Sequence, residues 1–409
     1  TTDLAHASGM ACLLYIGPCF SYGDREKRTQ LFGFYDNLWS QYEDYFGPRP
    51  GDLLDQAQRD VQGRPRPYEY GGQRGYHLCV NSPGVRQMTK GLIRMIVEAG
   101  GDGSFYDGPY VTEGRCYCHW CRDKFRQWLR DNYSAADLKA HFGVTDIATV
   151  EPPKSAQEKL WVPFRRFNAW SLLDFMRDTK AYARTLNPHY IMTSNYCMWS
   201  GEPFSPIRGT AEDAEVESQV VDVLFDEAAY GAGPRWEQGG KVSNATDYRH
   251  LLAAAQGIPV ALLKTAPEGT HPDAGGNLTR LAMAEGAANG ATWQLHRLKP
   301  AAQVGAEQYN SFLAARQDVM VRCKPWAVIG LWTSSTQAYF DLPTYPTAIS
   351  RHLADNHLPH RFVIDREVEQ GKLAGLDVLI VQQVSVISGK QLAALEAFAR
   401  SGKGLILVN

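Results

Sequence analysis

One repeating unit constrains this chain more than any single residue. A short apolar run ends in a polar or charged residue, and after a loop comes a stretch whose apolar residues recur every three or four positions. The runs are Met10–Ile16, Tyr76–Val80, Ser104–Asp107, Tyr190–Asn195, Val220–Asp226, Pro259–Lys264 and Ala291–His296. Continuous apolar runs suit strands buried on both faces, and strands alternating with helices imply right-handed βαβ units on a parallel sheet. Asn81, Asp107, Asn195, Asp226, Glu227, Lys264, Gln294 and His296 fall at the carboxyl ends of these runs. A (β/α)8 TIM barrel keeps its chemistry there. With seven runs in hand, the first barrel strand is expected to precede Met10, and the lack of an initial Met agrees with a trimmed start.

A helix around Ala301–Arg322 closes this series, and the pattern then restarts. Strands are expected at Ala327–Trp332, His360–Ile364, Leu376–Val381 and Gly404–Val408, with helices at Thr347–Asn356 and Ser388–Arg400. This reads as a flavodoxin/Rossmann-like α/β unit. The expected organisation is therefore a barrel over 1–320, lacking its first strand, and an incomplete α/β domain over 321–409. No Gly-x-Gly-x-x-Gly follows a strand, so no dinucleotide is expected.

The formal net charge is −2, without a long basic run, which argues against nucleic acid or an anionic membrane as partner. No apolar stretch approaches transmembrane length, and no signal peptide is visible. A cytoplasmic location is expected. Tyr106, Trp199 and Trp293 lie at or after strand ends, where aromatic rings suit stacking on sugars.

Three of the eight cysteines crowd into Cys116-Tyr-Cys118-His-Trp-Cys121. Such crowding points to metal more than to disulfides. Thiolates at these spacings can converge on one tetrahedral zinc ion.

Three segments carry a resemblance to family 42 glycoside hydrolases, the β-galactosidases whose barrel precedes a flavodoxin-like trimerisation domain. Tyr76–Pro83 resembles the segment that contributes one zinc cysteine. Arg115–Cys121, with Phe125, resembles the family's Cys-Tyr-Cys-x-x-Cys knuckle. Ala287–Gln294 is similar to the eighth-strand segment, and Val378–Ile406 to the trimerisation domain. The resemblance implies a structural zinc held by Cys79, Cys116, Cys118 and Cys121, with His119 as a rival to Cys79. It also implies a carbohydrate substrate and a homo-oligomer, trimer or dimer.

The family's two catalytic glutamates have no counterpart here. Asp107 stands near the place of the acid/base, one methylene shorter, and Lys264 stands in the place of the nucleophile. Glycoside hydrolysis needs two carboxyl groups. Asp107 and Glu227 are the expected catalytic pair, because Asp226 and Glu227 alternate and cannot both face inward. Glu268 is a further candidate. Tyr106, Asn195, Trp199, Asp226, Lys264, Trp293, Gln294 and His296 are expected to bind substrate, and Lys264 suits an acidic sugar. A lyase on uronic-acid glycans and a non-catalytic carbohydrate-binding homologue are the rival readings.

Overall fold

The computed structural model describes residues 2–17, 23–70, 73–196, 204–227, 235–237, 240–265, 274–296, 298–320, 323, 326–343 and 346–408. Two compact units divide the chain. One comprises Thr1–Asn195 and Pro206–Asp222, the other Tyr196–Ser205 and Val223–Asn409.

In the first unit, β1 (Leu13–Ile16) opens the chain's barrel-type strands. A long excursion follows, containing the antiparallel hairpin of β2 (Pro67–Tyr70) and β3 (Gln73–Tyr76). It ends at Ser82-Pro83, where Pro83 opens the helix Pro83–Glu98. Proline suits this first position because it has no N–H to leave unpaired. The helix buries Val85, Met88, Ile93 and Ile96 on one face. Next come β4 (Gly103–Tyr106) and, after the helices His119–Asn132 and Trp161–Leu186, β5 (Ile191–Tyr196). β4 pairs in parallel with β1 on one side and β5 on the other. The helix Trp161–Leu186 buries Phe164, Phe167, Leu172, Phe175 and Met176, which supply much of this unit's aromatic core.

One expected strand is absent. Tyr76–Val80 does not join the parallel strands: only Tyr76 belongs to a strand, β3, and Leu78 makes an isolated bridge to Ala57. Its apolar residues are buried for another purpose, because Cys79 turns into a thiol cluster.

In the second unit, β6 (Val223–Glu227) is followed by a small hairpin of β7 (Arg235–Glu237) and β8 (Gly240–Val242). β9 (Val260–Thr265) pairs in parallel with β6 and with β10 (Thr292–His296). Four further parallel strands are β11 (Ile329–Trp332), β12 (His360–Val363), β13 (Val378–Gln382) and β14 (Gly404–Val408), in the order β12-β11-β13-β14. Inside this unit the helix Ala245–Ala255 meets β12. His250 lies between Phe204 and Phe362, with ring centroids 5.1 and 5.8 Å away. Burial pushes its imidazole down to about 4.

A buried acid marks the first unit. Glu217 ends the short helix Ala214–Glu217 and accepts a 2.9 Å hydrogen bond from Ser194 of β5. Burial, aided by the neighbouring Asp213 carboxylate, pushes its carboxyl up to about 8. The native state therefore keeps this proton between pH 4.5 and about 8, where the unfolded chain has lost it. Its contribution is full below the unfolded value and fades as pH rises through 8, on the order of a few kcal/mol. Glu217→Gln should flatten this slope: relative to the native chain, its denaturation midpoint should rise on going from pH 6 to pH 9. An unchanged difference between the two chains would show that Glu217 is already ionised at pH 6.

Candidate functional site

Asp107 follows β4 and takes its position from both neighbouring strands. Its backbone N–H donates to the Ile16 carbonyl of β1 at 3.0 Å. One carboxylate oxygen accepts from the Tyr15 hydroxyl of β1. The other accepts from the Asn195 amide of β5 at 3.1 Å. Asp107 is thus gripped from both sides at the carboxyl ends of three adjacent parallel strands. Tyr15 reaches it by laying its ring over Gly17: a Cβ there would stand 2.5 Å from a ring carbon. Its ring also stacks on Phe105, with centroids 6.1 Å apart.

The expected binding residues divide. Asn195 is buried and holds Asp107. Tyr106 is not a sugar platform: it is fully buried, and its hydroxyl donates to Thr179 of the helix Trp161–Leu186 at 3.0 Å. The reason is strand alternation, which sends Tyr106 to the face opposite Phe105 and Asp107. In the second unit, Asp226 is fully buried at the end of β6 and Glu227 is exposed. Trp293 is buried on β10, and its indole N–H has no partner among the described residues. The backbones of Lys264, Gln294 and His296 lie in β9 and β10, but their side chains fall outside the described residues. Trp199 and Glu268 lie outside them altogether.

A second cluster forms from residues that follow Asp107 in the chain, joined by Cys79. Cys79, Cys116, Cys118 and Cys121 are all buried, and their sulfurs lie within 4.8 Å of one another. Cys79 Sγ is 3.4 Å from Cys121 Sγ and 3.5 Å from Cys118 Sγ. N–H groups point at this cluster, from Asn81 to Cys121 Sγ at 3.3 Å and from the Cys121 backbone to Cys118 Sγ at 3.4 Å. Hydrogen bonding to Cys116, together with burial, pushes the Cys79 and Cys121 thiols well up. His119, the expected rival to Cys79, packs at a tilt against Trp120, with ring centroids 4.2 Å apart.

The thiols join the excursion after β1 to the loop after β4, and polar contacts repeat the join. Buried Gln58 donates to the Tyr110 carbonyl at 2.6 Å and the Leu78 carbonyl at 3.2 Å, and accepts from Thr112 N–H at 2.9 Å. Arg66 pairs with Glu113 at 2.8 Å, and Tyr117 N–H donates to the Arg59 carbonyl at 3.0 Å.

Residues 55–319 match the sequence profile of glycoside hydrolase family 42, described as β-galactosidase. The chain belongs to that family. β-Galactosidase BgaH of Haloferax lucentense is 24% identical over 310 residues, covering 64% of this chain and 43% of the relative. This chain thus spans less than half the length of that relative. A catalytic mutant of Gan42B, a GH42 β-galactosidase from G. stearothermophilus, matches with a TM-score of 0.69 at 17% identity, covering 99% of this chain and 68% of that one. The apo exo-carrageenase GH42 from Bacteroides ovatus matches at 0.65 and 13%, covering 100% and 63%. The fold is accordingly the family's TIM barrel with an additional domain.

Sequence reasoning missed Tyr15 and Gln58. Tyr15 sits in an apolar run and reads as core. Gln58 lies in a polar loop that carries no motif. Gln58→Ala would leave buried carbonyls and an N–H unpaired, at about 1–3 kcal/mol each for groups that water does not reach. Its urea midpoint should fall clearly below that of the native chain; an unchanged midpoint would contradict the clamp.

Proposed function

We propose that this chain is the catalytic part of a glycosidase that cleaves a glycosidic bond by carboxylate acid/base chemistry. The observation that carries the reading is the doubly held Asp107 at the carboxyl end of a barrel strand, in a family of β-galactosidases. Asp107 serves as general acid or nucleophile, and Glu227, at the end of β6, is its partner. As acid, Asp107 gives its proton to the leaving oxygen while its partner carboxylate takes a proton from the water that adds to the sugar carbon. As nucleophile, it bonds that carbon as the partner protonates the departing oxygen, and water, giving its proton to the partner, then displaces Asp107. Tyr15 and Asn195 hold the carboxyl in one rotamer through either course. Asp is shorter than the family's Glu, so its reach depends on this fixed position.

The substrate class that fits the β-galactosidase relatives is a β-galactoside. An acidic sugar, suggested by Lys264, is the narrower alternative. Release of reducing ends without unsaturated product distinguishes hydrolysis from a lyase. Asp107→Asn and Glu227→Gln should each lower turnover of the best glycoside by orders of magnitude. Tyr15→Phe should cost less, about 10-fold, through lost positioning. Near-normal rates in both carboxylate variants would defeat the assignment.

The four thiols suit one structural zinc ion. Tetrahedral bonds of about 2.3 Å put sulfurs about 3.8 Å apart, near the separations here. With four sulfur ligands such a site is closed, so the ion supplies folding energy and takes no substrate. Cys118→Ser should lose the metal and unfold at lower temperature. Elemental analysis of the purified chain should give one zinc per chain, and none would overturn the proposal.

A further inference from the structure

A cleft of about 340 Å³ lies in the excursion between β1 and the helix Pro83–Glu98, against the hairpin β2–β3. The excursion leaves the carboxyl end of β1, so the cleft belongs to the barrel's catalytic side. Its size falls in the range of small-ligand sites.

The lining is of mixed character. Tyr68 and Tyr76 supply rings, and Arg25 and Arg74 stand among Asp24, Glu26 and Glu69, with Arg74 3.9 Å from Glu69 and Asp24 4.0 Å from Lys27. Three carboxylates face two guanidiniums, and Arg25 is further paired with Asp52 at 3.3 Å. An anion meets a net negative lining, and an apolar ligand would strip water from five charged groups. A neutral saccharide matches both features. Its C–H face stacks on tyrosine, and its hydroxyls bond to carboxylates and guanidiniums together.

The cleft is also wired to Asp107. Tyr68 packs on His77 with ring centroids 4.5 Å apart, and His77 on Tyr110 at 6.0 Å. The Tyr110 ring covers Gly108, next to Asp107: a Cβ on Gly108 would lie 2.1 Å from it, and Gly108 has φ +72°. Gln58 holds the Tyr110 carbonyl from the excursion side.

We propose that this cleft is a distal subsite for a neutral oligosaccharide, binding sugar units beyond the bond acted on at Asp107. The proposal rests on the glycosidase reading for its link to turnover, but saccharide binding in the cleft stands apart from it.

The full chain and its Tyr68→Ala, Tyr68→Phe and Arg74→Ala variants are assayed on p-nitrophenyl β-galactoside and on β-1,4-galactotetraose. On the aryl substrate Tyr68→Phe and Arg74→Ala, which leave the packing on His77 in place, should stay within about 2-fold of the native kcat/KM. On the tetrasaccharide, KM should rise about 10-fold or more in Tyr68→Ala and Arg74→Ala with kcat retained, while Tyr68→Phe keeps its ring and stays near native. Equal losses on both substrates, or no loss on the tetrasaccharide, would overturn the subsite. If the native chain turns over neither substrate, the β-galactoside reading fails and calorimetric titration decides the cleft. Galactotetraose binding weakened about 10-fold by Tyr68→Ala supports it. Absent binding, equal binding in the variant, or tighter binding of tetragalacturonate overturns it.

Discussion

Four buried thiols hold this site together. Cys79 comes from the excursion after β1, Cys116 and Cys118 from the loop after β4, and Cys121 from the first turn of the helix His119–Asn132. The excursion has a small aromatic core of its own, in which Phe34, Trp39 and Phe46 pack together, and the thiols tie that core to the segment after β4. The two segments meet at these clustered thiols, and Phe125 packs against Phe164 and Phe167 at 5.1 and 5.3 Å. Gln58 and the Arg66–Glu113 pair repeat the join with polar contacts. The loop that leaves Asp107 is therefore fixed at its far end by the thiols and at its near end by Tyr110 over Gly108.

That rigidity bears on a chemical problem. On the proposed reading, Asp107 stands in the place of a longer glutamate, and a shorter carboxylate must reach its target from a strand end. Tyr15 and Asn195 restrict Asp107 from both flanking strands, so position replaces reach. Gly17 belongs to the same device, since any side chain there would displace the Tyr15 ring.

Much of the fold was legible in the sequence, because strands buried on both faces write continuous apolar runs and helices write 3–4 spacing. Six of the seven runs read as barrel strands carry parallel strands, and the C-terminal restart carries four more. Tyr76–Val80 misled because burial has two causes: its residues enclose a thiol cluster, and an apolar run does not say which cause applies. The site was less legible. Cysteine spacing is local, so the knuckle could be read directly. Alternation along Phe105-Tyr106-Asp107 already separated Tyr106 from Asp107, and weighing it would have kept Tyr106 out of the sugar site. Tyr15 could not be found in this way. Its role depends on a ring lying across Gly17 to a neighbouring strand, and its own sequence context is that of core. Gln58 likewise acts across more than fifty residues of chain.

The central claim is that the Asp107 carboxyl takes part in breaking the glycosidic bond. Chemical rescue tests it most directly. Asp107→Ala is assayed on an aryl glycoside with a good leaving group, with and without azide. The account predicts near-zero turnover of a natural glycoside and a glycosyl azide product formed in its place from the aryl substrate. The anomer of that azide assigns Asp107 as acid or as nucleophile. Native-like turnover of the natural glycoside by Asp107→Ala, with no azide product, would contradict the account.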